Sequence, residues 1–173
     1  MKTVISYLNL IFQNIFPINV CIYKKLPPIF VTQMKVTESK YNTCLYFAAN
    51  TLARKIEKLA IECWKPADLP PSHAYLLMMV LEEPGLHPGR IASHLQLSPS
   101  TITRLIEKLE ERNLVLRKIV GRTTKVYPSN NGIILFPILR SCLAEFYTNS
   151  CGIIGKSESE KIVADMCLIA DKL

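Results

Sequence analysis

Residues 97–112 carry the strongest local constraint on the fold. The stretch begins with Leu97-Ser98-Pro99, in which the serine suits the N-cap of a helix and the proline suits its first position. Apolar residues then follow at spacings of three, one and three: Ile102, Leu105, Ile106 and Leu109. That period predicts an amphipathic helix from Pro99 to about Arg112, with one buried face and one free face.

A shorter helix precedes this one closely. Glu83-Pro84-Gly85 interrupts the chain, and Pro88 suits the first turn of a helix that runs to about Gln96. Its apolar residues Ile91, Ala92 and Leu95 are spaced to face inward. Since only a tight turn separates the two helices, residues 86–112 predict a helix-turn-helix.

After Asn113 the period of the pattern changes. Residues 114–120 and 124–127 are rich in β-branched and aromatic residues, and Gly121-Arg122-Thr123 lies between them. This arrangement predicts a β-hairpin with a basic tip, which a helix-turn-helix commonly carries as a wing.

Longer helices flank this unit, so the fold class is mainly α with a small β-wing: a winged helix-turn-helix with flanking helices. Apolar spacing predicts the flanking helices over Asn42–Trp64, His73–Glu82 with Ser72 as its cap, Asn131–Ile154 with Pro137 inside it, and a last helix that starts with the capping box Ser157–Glu160 and ends at Leu173.

The charge of the chain favours a polyanionic partner. The formal net charge is +7, and residues 87–128 hold eight basic and only three acidic residues. Hydrophobic residues make up 49% and charged residues 20%, which excludes a disordered chain and is typical of a globular protein. The positive charge therefore coincides with the predicted helix-turn-helix and hairpin.

The free face of the Pro99 helix suits the major groove of DNA. Small hydroxyl residues allow close approach of the backbone, and Arg104 reaches a guanine edge or a phosphate. Arg122 at the hairpin tip suits a narrow minor groove. Further basic residues suit contacts with the phosphate backbone. The candidate DNA-binding residues are Ser98, Ser100, Thr101, Thr103, Arg104, Lys108, Arg117, Lys118, Arg122 and Lys125.

The stretch from Pro88 to Val115, PGRIASHLQLSPSTITRLIEKLEERNLV, resembles the multiple-antibiotic-resistance regulator (MarR) family. The resemblance implies a homodimer that binds pseudo-palindromic operators, commonly as a repressor released by a small molecule or an oxidant. It also implies that the first and last two helices form the dimer interface. The chain departs from the family in its shorter wing around Arg122 and in Ser129-Asn130-Asn131-Gly132, which replaces a common Thr-Glu-Lys-Gly.

We divide the chain into four parts. Residues 1–33 are interpreted as an N-terminal extension upstream of a start at Met34; the alternative is a targeting segment, which would make the chain a membrane-associated or secreted small helical protein. Residues 34–66 are the N-terminal dimerisation helix, 67–130 the DNA-binding domain and 131–173 the C-terminal dimerisation helices.

Six cysteines without a CxxC pair indicate a reduced, cytoplasmic protein. The oxidant-sensing branch of the MarR family makes Cys44 a candidate redox sensor, with Tyr46 and Tyr75 available beside it; the alternative is a buried structural cysteine. His87 and His94 are too far apart along a helix for one metal ion.

No catalytic or phosphate-binding motif occurs in the sequence, so we expect neither an enzyme nor a bound cofactor. The remaining rival is a winged helix that contacts only proteins, which predicts no salt-sensitive binding to duplex DNA.

Overall fold

The structure is a computed structural model that describes residues 34–173, and its contacts divide the chain after Thr43. In the first unit, residues 34–43 contain a short 3-10 turn, Val36–Glu38, and the Asn42 side-chain amide donates a hydrogen bond to the Thr37 carbonyl at 2.7 Å. The N-terminal extension predicted over residues 1–33 lies outside the described residues.

The second unit has the predicted order of elements: four helices, a hairpin and two further helices. They are α1 (Leu45–Trp64), α2 (Pro71–Glu82), α3 (Pro88–Leu95), α4 (Pro99–Glu111), β1 (Val115–Val120), β2 (Thr123–Pro128), α5 (Asn130–Ile154) and α6 (Lys156–Ala170), with a 3-10 turn, Lys65–Ala67, after α1. The predicted fold class is confirmed.

Helix α2 lies at the centre of the core. It packs against α4, α5 and β2, and its residues Leu76, Leu77 and Val80 are completely buried. Because α2 is apolar on nearly all sides, it is stable only where other elements cover it. The helix-turn-helix and the hairpin are therefore assembled on one shared core.

Two predicted helix starts were wrong. Helix α2 begins at Pro71, with Pro70 as its N-cap, and Ser72 lies inside the helix; Pro71 has its φ preset for the first turn and lacks an N–H that this position cannot use. Helix α6 begins at Lys156, one residue before the predicted cap Ser157, and no side chain caps it. Gly155 adopts a φ of +94°, which a glycine tolerates, and so redirects the chain there.

The boundaries of the long helices also shift slightly. Helix α1 begins at Leu45 rather than Asn42, and α6 ends at Ala170 rather than Leu173. Helix α5 runs through Pro137 to Ile154, and Ser129 caps its start by accepting a hydrogen bond from the Gly132 N–H.

The hairpin is antiparallel, with a two-residue loop formed by Gly121 and Arg122. Gly121 has a φ of +63°, as tight hairpin turns require. At its base the hairpin is joined to the preceding loop, because Val126 exchanges backbone hydrogen bonds with Gly85 and Leu86 at 2.8 and 2.9 Å. The wing, defined here as residues 115–128, is thus attached to the chain segment that leads into α3.

Helices α1, α5 and α6 leave much apolar surface uncovered. Helix α6 has no buried residue at all. Within residues 34–173, no helix is both long enough and apolar enough to cross a membrane. The exposed apolar side chains on these helices include Leu45, Leu52, Ile56, Ile133, Ile134, Ile138, Ile153, Ile162, Val163, Met166, Leu168 and Ile169.

Candidate nucleic-acid interface

Helices α3 and α4 form the predicted helix-turn-helix. Gln96 ends α3 in the left-handed conformation, with a φ of +52°, and the Leu97 N–H donates to the Ala92 carbonyl at 3.1 Å. Ser98 then caps α4 by accepting a hydrogen bond from the Thr101 N–H at 3.1 Å, with Pro99 in the first helical position. Ser98 is therefore the N-cap of α4 and Pro99 its first residue, as the sequence predicts.

The apolar stripe of α4 is buried and the opposite face is free. Ile102, Leu105, Ile106 and Leu109 are each at most 8% exposed. On the opposite face Ser100, Thr103 and Arg104 are exposed, and Thr101 is half-buried. The helix is thus anchored by one side and presents hydroxyls and one guanidinium to solvent.

The hydroxyl groups at the start of α4 are not equivalent. The Ser98 hydroxyl lies 2.9 Å from the Ser100 hydroxyl and 2.8 Å from the Thr101 hydroxyl, so the three form one cluster at the helix cap. Thr103 donates its hydroxyl proton to the Pro99 carbonyl at 3.0 Å, which leaves its oxygen able to accept. Sequence reasoning grouped these residues together, whereas the structure separates capping groups from outward-facing ones.

The basic residues of this region divide into paired and unpaired groups. Lys108 forms an ion pair with Glu111 at 2.7 Å, and Arg117 forms one with Glu110 at 2.6 Å. Among the described residues, no acidic side chain pairs with Arg104, Arg122, Lys118 or Lys125. Lys118 instead lies over the Tyr127 ring, 5.3 Å from its centroid.

The strand register assigns the wing's basic residues to two faces. Lys118 is directly opposite Lys125, and Arg117 is directly opposite Val126, which is completely buried. Since neighbouring residues on a strand point to opposite faces, Lys118 and Lys125 share the face that Arg117 does not. Arg117, Lys118 and Lys125, which the sequence suggests as phosphate contacts, therefore do not share one face.

Comparisons with known proteins agree with this geometry. Residues 67–122 match the sequence model of the MarR family. The fold matches a transcriptional repressor, CouR, bound to p-coumaroyl-CoA, with a TM-score of 0.72 and 16% identity over 80% of this chain and 100% of that one. The family match covers residues 67–122, which contain the helix-turn-helix and the first strand of the wing.

Two solved complexes with DNA share this fold. CouR bound to a 23-mer DNA duplex matches with a TM-score of 0.70 and 17% identity, over 80% of this chain and 99% of that one. The MepR–DNA complex of S. aureus matches with a TM-score of 0.65 and 18% identity, over 74% and 96%. At these identities the likeness shows a common fold. No curated protein sequence is significantly similar to this chain.

Cys44, the candidate redox sensor, is exposed and immediately precedes α1. Tyr46 is exposed in the first turn of that helix, but Tyr75 packs edge-on against Trp64, with 5.5 Å between the ring centroids. Because α1 has 20 residues, Trp64 lies about 30 Å along the axis from Cys44. Within one chain, Tyr75 is therefore not beside Cys44, contrary to the expectation from sequence.

The histidines do not form a metal site in residues 34–173, where no group of three or more His, Cys, Asp or Glu side chains is placed to hold a metal ion. His87 caps α3, since its Nδ1 accepts a hydrogen bond from the Gly89 N–H at 3.0 Å. His94 is exposed near the end of α3.

His73 is a feature that the sequence did not reveal. It lies in the first turn of α2, and its Nδ1 is buried without a hydrogen-bond partner. Burial lowers the pKa of His73 below 6.5, and the positive charges of Arg112 and Lys108 lower it further. Conversely, the hydrogen bond that Lys108 donates to Glu111 raises the pKa of Lys108.

An open groove of about 400 Å³ lies between the 3-10 turn after α1 and the middle of α5. The Cys142 side chain is buried at its floor, and burial raises the pKa of that thiol. Its lining residues are Pro66, Pro137, Ile138, Ser141, Cys142 and Glu145.

Proposed function

We propose that this protein is a MarR-family transcriptional repressor that binds specific double-stranded DNA as a homodimer. The observation that carries the proposal is the free face of α4, where Arg104 has no ion pair among the described residues and stands above a fully buried stripe. A DNA ligand implies a cytoplasmic protein. The proposal assigns the chain no catalytic step.

In this proposal α4 is the recognition helix. Arg104 donates to a guanine edge, and Ser100 and Thr103 contact neighbouring base edges through their exposed hydroxyls. Ser98 and Thr101 hold the helix start, where backbone N–H groups and the helix dipole favour a phosphate. Lys108 lies further along α4, so its contact is with a phosphate and competes with Glu111.

The wing makes the second contact. Arg122, in the two-residue loop, enters the minor groove, where A·T-rich sequence concentrates negative potential. Lys118 and Lys125 share one face of the hairpin and contact phosphates without reading the sequence. Their direct opposition is costly in the free protein, because like charges on paired positions repel. Phosphates would relieve that repulsion.

A homodimer would bury the apolar surfaces of α1, α5 and α6. Large exposed apolar surfaces are rare on monomers and are typical of interfaces. Leu45 is 68% exposed and Ile134 is 73% exposed in the single chain. Two-fold symmetry would present two recognition helices to a pseudo-palindrome, with half-sites about 34–36 Å apart.

A small molecule or an oxidant is the proposed release signal. CouR, which shares the fold, has been solved with p-coumaroyl-CoA bound and with DNA bound. In this chain the groove beside Cys142 is the proposed effector site, because it adjoins both α1's end and α5. The exposed thiol of Cys44 is the proposed site of oxidation.

The test is selection of bound sequences from random duplexes, followed by titration of the preferred duplex and of random DNA at two salt concentrations. We expect Arg104→Ala to weaken the preferred duplex by about 5- to 150-fold, the range for one bidentate base contact, and random DNA by much less. Lys118→Ala should weaken both alike and reduce the salt slope by about 0.9 per lost contact.

The two variants are matched, since each removes one exposed positive charge without an acidic partner. Equal losses on both duplexes for Arg104→Ala would refute its base-reading role. Absence of salt-sensitive duplex binding by the wild type would refute the function itself and favour a winged helix that contacts only proteins.

A further inference from the structure

Glu110 of α4 holds Arg117 of β1 through one hydrogen bond and one ion pair. Its Oε1 accepts a hydrogen bond from the Arg117 backbone N–H at 2.9 Å, and its Oε2 lies 2.6 Å from a guanidinium nitrogen of Arg117. Each carboxylate oxygen thus has its own partner on the same residue. This pairing fixes both the strand's backbone and its side chain relative to the helix.

This ion pair differs from its neighbour on the same helix. Lys108 and Glu111 are three residues apart within α4, and their side chains are 64% and 62% exposed. The side chains of Arg117 and Glu110 are 35% and 26% exposed, and they join two different elements. Exposed pairs within one helix contribute little, whereas a shielded pair between elements constrains their geometry.

The position of Arg117 in the sheet explains what the pair constrains. Arg117 is opposite Val126, which is buried, so this face of the wing is turned towards the body of the protein. Lys118 and Lys125 lie on the other face. Holding Arg117 on Glu110 therefore sets which way the basic face of the wing points.

We propose that Glu110 is a positioning residue that sets the wing relative to α4, so that Arg122 and Arg104 occupy their grooves at the same time. The inference rests on the proposed DNA binding. It assigns to Arg117 the role of anchoring the wing, in place of the phosphate contact that its charge alone suggested.

The sign of the expected effect makes the proposal testable. Glu110 is a negative charge within a basic region, so its removal should tighten DNA binding if charge alone matters. If Glu110 positions the wing, its removal should weaken DNA binding, because Arg122 would no longer make its contact with DNA. Glu111 provides the control, because it is the adjacent carboxylate on α4 and also holds a basic residue, but not one from the wing.

The experiment measures the Kd of the full chain for its preferred duplex with Glu110→Ala and Glu111→Ala, each with and without Arg122→Ala. In the wild type and in the Glu111→Ala background, we expect Arg122→Ala to weaken binding by about tenfold, as for one lost arginine contact. In the Glu110→Ala background the same change should cost about twofold or less, since the contact is already lost.

Arg117→Met tests the pair from the other side and keeps the aliphatic stem. In the Arg117→Met background, Arg122→Ala should cause almost no further loss of DNA affinity. If Arg117 only contacted a phosphate, Arg122→Ala would weaken binding by the same factor as in the wild type. Amide hydrogen exchange without DNA is the second measurement. Glu110→Ala should speed exchange in residues 115–128, and Glu111→Ala should not.

The inference is overturned, with DNA binding left intact, if Glu110→Ala and Glu111→Ala have equal effects in all three measurements. These are the Kd, the factor by which Arg122→Ala weakens binding, and the rate of amide exchange. Failure of the wild type to bind any duplex would overturn the proposed function instead, and the exchange measurement would still decide whether Glu110 holds the wing. If Glu110→Ala does not fold, Arg117→Met decides the question alone.

Discussion

Gly132→Ala should destabilise the protein at the junction between the wing and α5. Gly132 is buried in the first turn of α5, where its N–H donates to the Ser129 hydroxyl at 3.1 Å. A Cβ placed there would lie 2.3 Å from the Leu114 carbonyl oxygen and 3.3 Å from Leu77 Cδ1, and real Cβ atoms essentially never approach closer than 3.0 Å. Something must therefore move.

The cost follows from what can move. The Leu114 carbonyl is backbone and accepts a hydrogen bond from the Ser129 N–H at 3.0 Å, so it does not rotate away freely. Inserting a methyl group into a packed site costs about 1–3 kcal/mol, and the better helix propensity of alanine offsets roughly 1 kcal/mol. A net loss of up to about 2 kcal/mol corresponds to a fall in Tm of up to roughly 8 °C for a chain of this size.

Gly152→Ala is the matched control, because Gly152 lies in the same helix and its added Cβ would meet no atom within 4 Å. It should be neutral or stabilising by up to about 1 kcal/mol. Both variants are compared with the wild type by urea denaturation at one protein concentration, since the stability of a dimer depends on concentration. If Gly132→Ala proves as stable as Gly152→Ala, the reasoning from close approach is wrong.

Three further predictions concern single side chains. Ser98→Ala removes the cap of α4 and should cost about 0.5–2 kcal/mol in denaturant unfolding; no loss would mean that Pro99 alone sets the helix start. The pKa of His73 is lowered in the folded state, so the stabilisation that it contributes is present above pH 6.5 and should be lost as the pH falls below 6.5. Thermal melts over a pH series should show a smaller loss of stability for His73→Gln. Cys44→Ser should abolish release from DNA by peroxide; unchanged release would eliminate Cys44 as the sensor.

The sequence by itself determined the order of the elements and the face of α4. Three local signals were sufficient, and each spans fewer than a dozen residues. Ser98-Pro99 starts α4, the spacing from Ile102 to Leu109 sets its buried face, and Gly121 forms the turn of the hairpin. Caps, helical period and turn chemistry are local properties, so they are readable without knowledge of distant contacts. The family resemblance rested on this same stretch, which overlaps the region that matches the MarR model.

Only the tertiary structure decided which basic residues are available to a ligand. Charge alone made Lys108, Arg117 and Lys118 equivalent, but their partners depend on which elements pack together. The strand register turned Arg117 towards Glu110, and the length of α1 separated Tyr75 from Cys44. These relations join residues that are distant along the chain or on different elements, so no local pattern encodes them; they arise when the elements close around α2 and leave each side chain a limited set of neighbours.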